Sequence, residues 1–261
     1  MFERPDPIES VKSFWDDRAG DPSLDQAQVT HPDIWQRWLE IGAVKPFLRS
    51  SDHAIDVGCG SGYATKVFAP LVSSIKGVDF SEGMIERAKR DGSVAANATF
   101  QVGNVLELSP STSGIFDVAL TLRCLINLPD WEAQKAAIAN IASVVKPHGR
   151  YIFVEGSKEG RAGLNRARVD VGLEAMPPVW HNVDFERERT IAFLEQYYAI
   201  VEELGFGLYD LIARIVHPLL VAPDKPQYEA GINEVAARVA NKMQACNNLS
   251  RVLFLVLERK R

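Results

Sequence analysis

The sequence predicts an α/β fold: a doubly wound, mostly parallel sheet of seven strands. Three observations carry that reading. From residue 51 onward, short apolar runs alternate with stretches of helical periodicity. The first such run ends in a glycine-rich turn that opens a helix. The last run, Val252–Glu258, is almost continuously apolar, as a strand buried on both faces is. Strands alternating with helices imply parallel pairing with right-handed crossovers.

The elements follow in order. Residues 5–30 are rich in turn formers (Pro5, Pro7, Gly20, Pro22) and hold one short helical piece, Val11–Arg18. Residues 31–49 read as a helix. Thr30 and Asp33 form a capping-box-like start, and Ile34, Trp38, Ile41, Val44 and Leu48 recur at helical spacing. His53–Val57 is a strand, and a helix follows from Tyr63 to Leu71. Ser74–Val78 is the second strand. Ser81 caps the next helix, which turns Met84, Ile85 and Ala88 inward. Ala98–Val102 and Phe116–Leu120 are the third and fourth strands. Asp130 caps a helix with an apolar stripe of Ile138, Ile141, Ala142 and Val145. Pro147-His148-Gly149 turns into a fifth strand, Tyr151–Glu155. Residues 158–200 hold two helices around Pro177-Pro178, a sixth strand lies within Tyr198–Val216, and Gly231–Cys246 is a helix.

Composition narrows the class. The 261 residues carry 29 Lys+Arg against 34 Asp+Glu, a formal net charge of −5. Hydrophobic residues make up 46% and charged residues 24%, which suits a globular chain and excludes collagen, a disordered tail and a mini-protein scaffold. The acidic balance argues against a nucleic-acid partner. No apolar run is long enough to span a bilayer, so no membrane association is expected. The start, MFERPDPIES, lacks the basic and apolar regions of a secretion signal. Cys59, Cys124 and Cys246 are odd in number and widely spaced, which fits a reduced, cytoplasmic chain and neither a disulfide framework nor a zinc cluster.

In a doubly wound sheet, ligands sit beyond the carboxyl ends of the strands where strand order reverses. The first strand ends there in Asp56-Val57-Gly58-Cys59-Gly60-Ser61-Gly62-Tyr63. Three alternate glycines let the backbone turn tightly and approach a ligand closely. A nicotinamide-type turn would need its third glycine at Tyr63. The carboxylate of Asp56 would oppose a pyrophosphate but suits a ligand bearing an ammonium or sulfonium. The second strand runs into Asp79, placed to accept hydrogen bonds from both ribose hydroxyls. The third runs into Asn104, whose amide can bond an adenine edge.

These residues resemble the S-adenosylmethionine (SAM) site of the class I methyltransferases, over about residues 51–157. The resemblance implies a Rossmann-like methyltransferase core. It implies that Gly58, Gly60 and Gly62 wrap the methionine part of SAM and that Asp56 orders the loop. Asp79 would hold the ribose, and Phe80 and Met84 would flank the adenine. Asn104 and Val105 would meet its polar edge, and Leu122 and Arg123 would close the site from below. The family often has Asp where this chain has Asn104; an amide oxygen can still accept the adenine amino proton. The product would be S-adenosylhomocysteine (SAH).

The turn after strand four, Thr121 to Asn127, lacks the Asn/Asp-Pro-Pro-aromatic motif of amino-directed nucleic-acid enzymes and the Pro-Cys nucleophile of cytosine-directed ones. Clustered carboxylates for a metal are absent, Glu155 standing alone, so no metal is expected. A small polar or sugar-like acceptor is therefore expected, methylated at oxygen. Small-molecule N-methylation, RNA or protein methylation, and a non-catalytic SAM-binding module stay open, as does monomer against homodimer. In-line transfer draws most of its acceleration from positioning, and a hydroxyl acceptor gains from a histidine base. Of five histidines, His53 and His148 fall at the wrong end of the sheet. His217 precedes Pro218 and an apolar run, and His31 would belong to a lid. His181, in the rigid aromatic segment Pro177–Asn182, is the expected base or substrate contact; its bland alternative is a backbone hydrogen bond. Glu155 would orient the acceptor or pair with Arg123 or Arg166, and Arg123 would grip an acidic group or pair with Glu155. Phe14, Trp15 and Arg18 resemble the N-terminal cap of small-molecule members. The expected organisation is a helical cap over 1–50, the core over 51–157, a lid insertion over 158–200 and completing elements over 201–261.

Overall fold

A computed structural model of the chain describes residues 7–90 and 94–261. Pro5 of the turn-rich opening stretch lies outside the described residues. Seven strands, β1 (His53–Val57), β2 (Ser74–Asp79), β3 (Ala98–Val102), β4 (Phe116–Leu122), β5 (Val145–Gly156), β6 (Tyr198–Leu204) and β7 (Val252–Arg259), form one sheet in the order β3-β2-β1-β4-β5-β7-β6. The first five pair in parallel, and β7 inserts antiparallel between β5 and β6. The chain winds outward from β1 on one side and from β4 on the other. The crevice at the reversal therefore opens beyond the carboxyl ends of β1 and β4.

Both faces of the sheet are covered, which is why its strands are apolar on both sides. Alternate residues feed two cores: Ile55, Val57, Phe153 and Leu255 on one face, Ala54, Val118, Ile152 and Phe254 on the other. Val252 to Leu257 are all buried. Helix starts are capped by the residues whose short oxygens suit that task. Asp33 accepts from Gln36 N at 3.0 Å, Ser81 Oγ from Met84 N at 3.0 Å and Asp130 from Ala133 N at 2.8 Å.

The N-terminal helix is longer than its periodicity suggests, Pro7–Gly20. It docks on helix Glu82–Arg90 through Asp16, whose carboxylate accepts from Ser81 Oγ at 2.5 Å and Gly83 N at 3.1 Å. The helix expected over 31–49 spans Ile34–Val44 and ends in a short 3-10 turn over Lys45–Phe47. Strand β5 begins at Val145, so Pro147-His148-Gly149 lies within it. Gly149 permits this, because a Cβ there would sit 2.8 Å from the Lys146 carbonyl oxygen and 2.9 Å from that of Asp117. After β6 the chain is helical over Gly207–Leu211 and His217–Val221, and the helix begun at Gly231 stops at Ala240. Helix Lys158–Asp170 packs flush on residues 248–250, with Gly160 against the Ser250 carbonyl and Gly163 against that of Asn248. It is thus held against the body of the fold. What reaches over to the N-terminal helix is the later segment containing Trp180 and His181. Among the described residues no helix is long and apolar enough to cross a membrane.

Candidate active site

The glycine loop leaves β1 by bending over β2: Gly58 N and Cys59 N both donate to the Val78 carbonyl, at 2.7 and 3.1 Å. Gly58, Gly60 and Gly62 take φ values of 74°, 53° and 76°, the left-handed region where a side chain is strained. Space forbids a side chain as well. A Cβ on Gly58 would collide with Cys124 Sγ, and one on Gly60 would lie 2.6 Å from Thr30 Cγ2. Gly62 differs from Gly58 and Gly60 in its surroundings. Its missing Cβ faces Phe100 at 2.6 Å, so it serves the packing of the following helix on β3.

Two adjoining cavities open beside this loop, with about 800 and about 470 Å³ of empty space, part of it open to solvent. They share Gly58, Asp79, Phe80, Cys124 and Asn127. The larger also takes in Asp56, Gly60, Met84, Leu122 and Arg123. The smaller is mostly apolar, with Val105 and Asn104 on one wall and Ile8 and Val11 of the N-terminal helix on another. The fold thus brings the expected cofactor-binding residues together at one place, with Gly62 behind them.

Two buried carboxylates floor the larger cavity. Asp79 accepts from Gly60 N at 2.8 Å and Ser81 N at 3.0 Å, so it ties the glycine loop to β2. Asp56 accepts from Thr65 Oγ1 at 2.6 Å. Burial pushes both up to about 6, against the hydrogen bonds each receives. A cation binding beside them would relieve part of that cost. The residues present fit SAM: a loop where only backbone is allowed, two buried acids beside it that suit a cationic ligand bearing hydroxyls, and an adjoining apolar lobe wide enough to take a flat base. The Asn104 amide oxygen caps Leu106 N at 3.0 Å, which leaves one of its lone pairs and the NH2 group for a ligand.

The residues expected to do chemistry are placed differently from one another. Glu155 is fully buried below the turn after β4 and does not line either cavity. Its carboxylate accepts from Cys124 N, Leu125 N and Ile126 N at 3.3, 3.1 and 3.2 Å. It shapes that turn; neither Arg123 nor Arg166 is its partner. Arg123 does line the cavity, but its guanidinium is paired with Glu40 of helix Ile34–Val44 at 2.6 Å. His181 is half-buried outside both cavities, stacked on Trp15 with ring centroids 5.4 Å apart and edge-on to Phe14 at 4.7 Å. No hydrogen bond to its buried Nδ1 is formed, so the expected backbone bond is absent there too. Burial, then Arg18, holds its pKa below the ordinary value.

Five further lining residues come from the N-terminal segment: Trp15, Thr30, His31, Arg37 and Glu40. Arg37 donates to Ala27 O and Thr30 Oγ1, both at 2.5 Å, and lies 4.6 Å from the centre of the Tyr63 ring. Asn127 joins them from the turn after β4. A charged residue inside an amphipathic helix reads from sequence as a solvated one, and only burial of Arg37 and Glu40 shows otherwise.

A family model described as a methyltransferase domain matches residues 54–149. A demethylmenaquinone methyltransferase of Symbiobacterium thermophilum is 33% identical over 142 residues, 50% of this chain and 53% of that protein. This chain thus covers about half the length of that relative. A ubiquinone biosynthesis O-methyltransferase of Coxiella burnetii is 30% identical over 172 residues, 64% of this chain and 68% of that protein. The fold is that of the SAM-bound magnesium protoporphyrin IX methyltransferase of Synechocystis PCC 6803, with a TM-score of 0.58 at 16% identity over 100% of both chains.

Proposed function

The chain belongs to the class I SAM-dependent methyltransferases, and on that premise we propose that it moves the methyl group of SAM to an oxygen of a small polar acceptor. One observation carries the reading: two buried carboxylates and a backbone-only glycine loop share a single cavity with polar groups of the N-terminal segment. SAM supplies a methyl group already activated on a positive sulfur. The chain's part is to bind, align and exclude water.

Gly58 and Gly60 lie along the methionine portion, with Asp56 beneath them fixing the loop through Thr65. Asp79 holds the ribose through the lone pairs not used by Gly60 N and Ser81 N. Phe80, Met84 and Val105 flank the adenine, and the Asn104 amide meets its edge. Leu122 closes the floor. Arg123, neutralised by Glu40, keeps that wall polar without setting a free positive charge against the sulfonium. The N-terminal segment is the cap, and the Trp180-His181 stretch of the 158–200 insertion backs Trp15 from outside. Alignment in such an enclosure supplies on the order of 7–11 kcal/mol where orientation is ideal. Oxygen as the target is supported by the relative from Coxiella burnetii, which is named for O-methylation.

Titration calorimetry with SAM and with SAH tests the donor site, and heat is expected for both. Labelled-methyl transfer to hydroxylated against amine acceptors then tests the target atom. No heat with either compound would overturn the donor assignment; transfer to amines alone would overturn oxygen.

A further inference from the structure

Of the five histidines, His31 is the one that lines the cavity among the described residues. The other four sit elsewhere: His53 on Ser74 at the far end of the sheet, His148 beside Glu258, His217 buried on Asn233, and His181 behind Trp15. His31 follows Thr30, whose methyl group fills the space over Gly60. The segment is pinned from several sides. Arg37 holds Ala27 O and Thr30 Oγ1, Arg18 Nε holds Val29 O at 2.8 Å, and Gln26 reaches Ser61 O of the glycine loop at 2.5 Å. His31 Nδ1 lies 2.9 Å from the Asp33 carbonyl oxygen and 3.2 Å from Asp33 N. Asp33 N–H also points at Nδ1; taking the shorter contact as the hydrogen bond assigns the ring proton to Nδ1 and the lone pair to Nε2. Other cavity groups able to take a proton are already engaged: Glu40 by Arg123, Asp56 by Thr65, and Asp79 by two backbone N–H groups.

We propose that His31 Nε2 is the base that removes the acceptor's hydroxyl proton, an inference that rests on the O-methyl transfer argued above. An oxygen lone pair of the acceptor forms the new C–O bond while the C–S bond breaks, its electron pair passing to the sulfonium sulfur. The hydroxyl proton passes to Nε2, and the resulting imidazolium returns it to solvent after product leaves. Burial, and then the positive charges of Arg123, Arg37, Arg251 and Arg214, hold the His31 pKa well below its ordinary value, so the free ring is neutral and open to a proton. Asp33 contacts the ring and Glu40 shares its cavity, but each is spent on an arginine, Arg214 and Arg123 respectively. A weakly basic imidazole suffices, because the attacking oxygen becomes strongly acidic as the C–O bond forms.

The test combines a spectroscopic and a kinetic readout on the full chain. Nitrogen-15 NMR of histidine-labelled protein with SAH reports the tautomer, with the His31 signals assigned by His31→Gln, or by His31→Asn should that variant fail to fold. Expected is a neutral ring at about pH 7, protonated at Nδ1 and bare at Nε2. A proton on Nε2, or a charged ring, overturns the proposal. Labelled-methyl transfer is then followed to catechol, 3,4-dihydroxybenzoate and benzylamine. His31→Gln should lower turnover of the hydroxylated probes roughly a hundredfold or more, with the SAH dissociation constant within about twofold of the parent. Parent-like turnover in the variant, or parent transfer to benzylamine alone, overturns it. If no probe is turned over, the tautomer decides. Absence of SAH binding in the parent would instead fail the donor site itself.

Discussion

Trp15 Nε1 donates to Asn127 Oδ1 at 3.2 Å, joining the N-terminal helix to the turn after β4 across 112 positions of sequence. Both residues line the larger cavity. Asn127 is fixed in turn, since its NH2 group donates to Arg123 O at 2.9 Å and Cys124 O at 3.3 Å. This one bond therefore couples the cap to the turn that carries Arg123 and Cys124.

Trp15→Phe keeps an aromatic ring at the position stacked on His181 and removes the donor with part of the indole. Losing a net hydrogen bond should weaken SAH binding roughly two- to tenfold with little change in melting temperature. Titration calorimetry measures this, and an unchanged dissociation constant would show that the cap's hold on Asn127 does not affect the bound state.

Asp79→Asn should weaken SAM and SAH alike, because the ribose contact is common to both. Charge-assisted hydrogen bonds put the loss at about ten- to a hundredfold. Circular dichroism checks that the glycine loop still folds without the charge that Gly60 N and Ser81 N bond. Equal affinities in parent and variant would remove Asp79 from the ribose.

Asp56 gives a pH prediction with a definite sign. Its folded value of about 6 lies above the ordinary 3.8. The folded chain thus binds this proton more tightly than the unfolded one. Its contribution to the free protein's stability is present below about pH 4 and is lost as pH rises to about 6. Asp56→Asn should remove that slope and stabilise the free protein near neutrality by on the order of 1–3 kcal/mol. The same change should weaken SAM. Urea unfolding of both proteins at acid and neutral pH decides it, parallel losses counting against the assignment.

The Glu40–Arg123 pair spans helix Ile34–Val44 and the turn after β4, with side chains only 3% and 17% exposed. Glu40→Gln strands a buried guanidinium and should cost about 3–5 kcal/mol in chemical denaturation. Pairing Glu40→Leu with Arg123→Met should recover much of that loss. A double variant as unstable as the single one would mean that packing, and not uncompensated charge, sets the cost.

Much of the fold was legible in order along the chain, because local rules govern it. Strand bounds at His53–Val57 and Ala98–Val102, and caps at Ser81 and Asp130, follow from runs and short oxygens that need no distant partner, whereas Asp33, expected inside the helix after Thr30, is itself the cap. The glycine loop was legible for the same reason, since Gly58 and Gly60 are demanded by local backbone geometry. Glu155 reads from sequence as an acid over the crevice, but its task is to hold three N–H groups of a turn about thirty positions away, which no local pattern signals.

By itself, then, the amino-acid order determined an α/β chain with a glycine turn at 58–62 and acids at the ends of the first two strands. It could not say which histidine meets the cavity. His181, in the more conspicuous aromatic segment, ends up stacked behind Trp15, while His31, expected only to belong to a lid, lines the cavity beside the glycine turn. The physical reason is that periodicity and capping act over a few residues. A side chain's role at a site depends on where three separate segments dock, and that docking is fixed by long-range burial and by bonds such as Asp16 to Ser81 and Trp15 to Asn127.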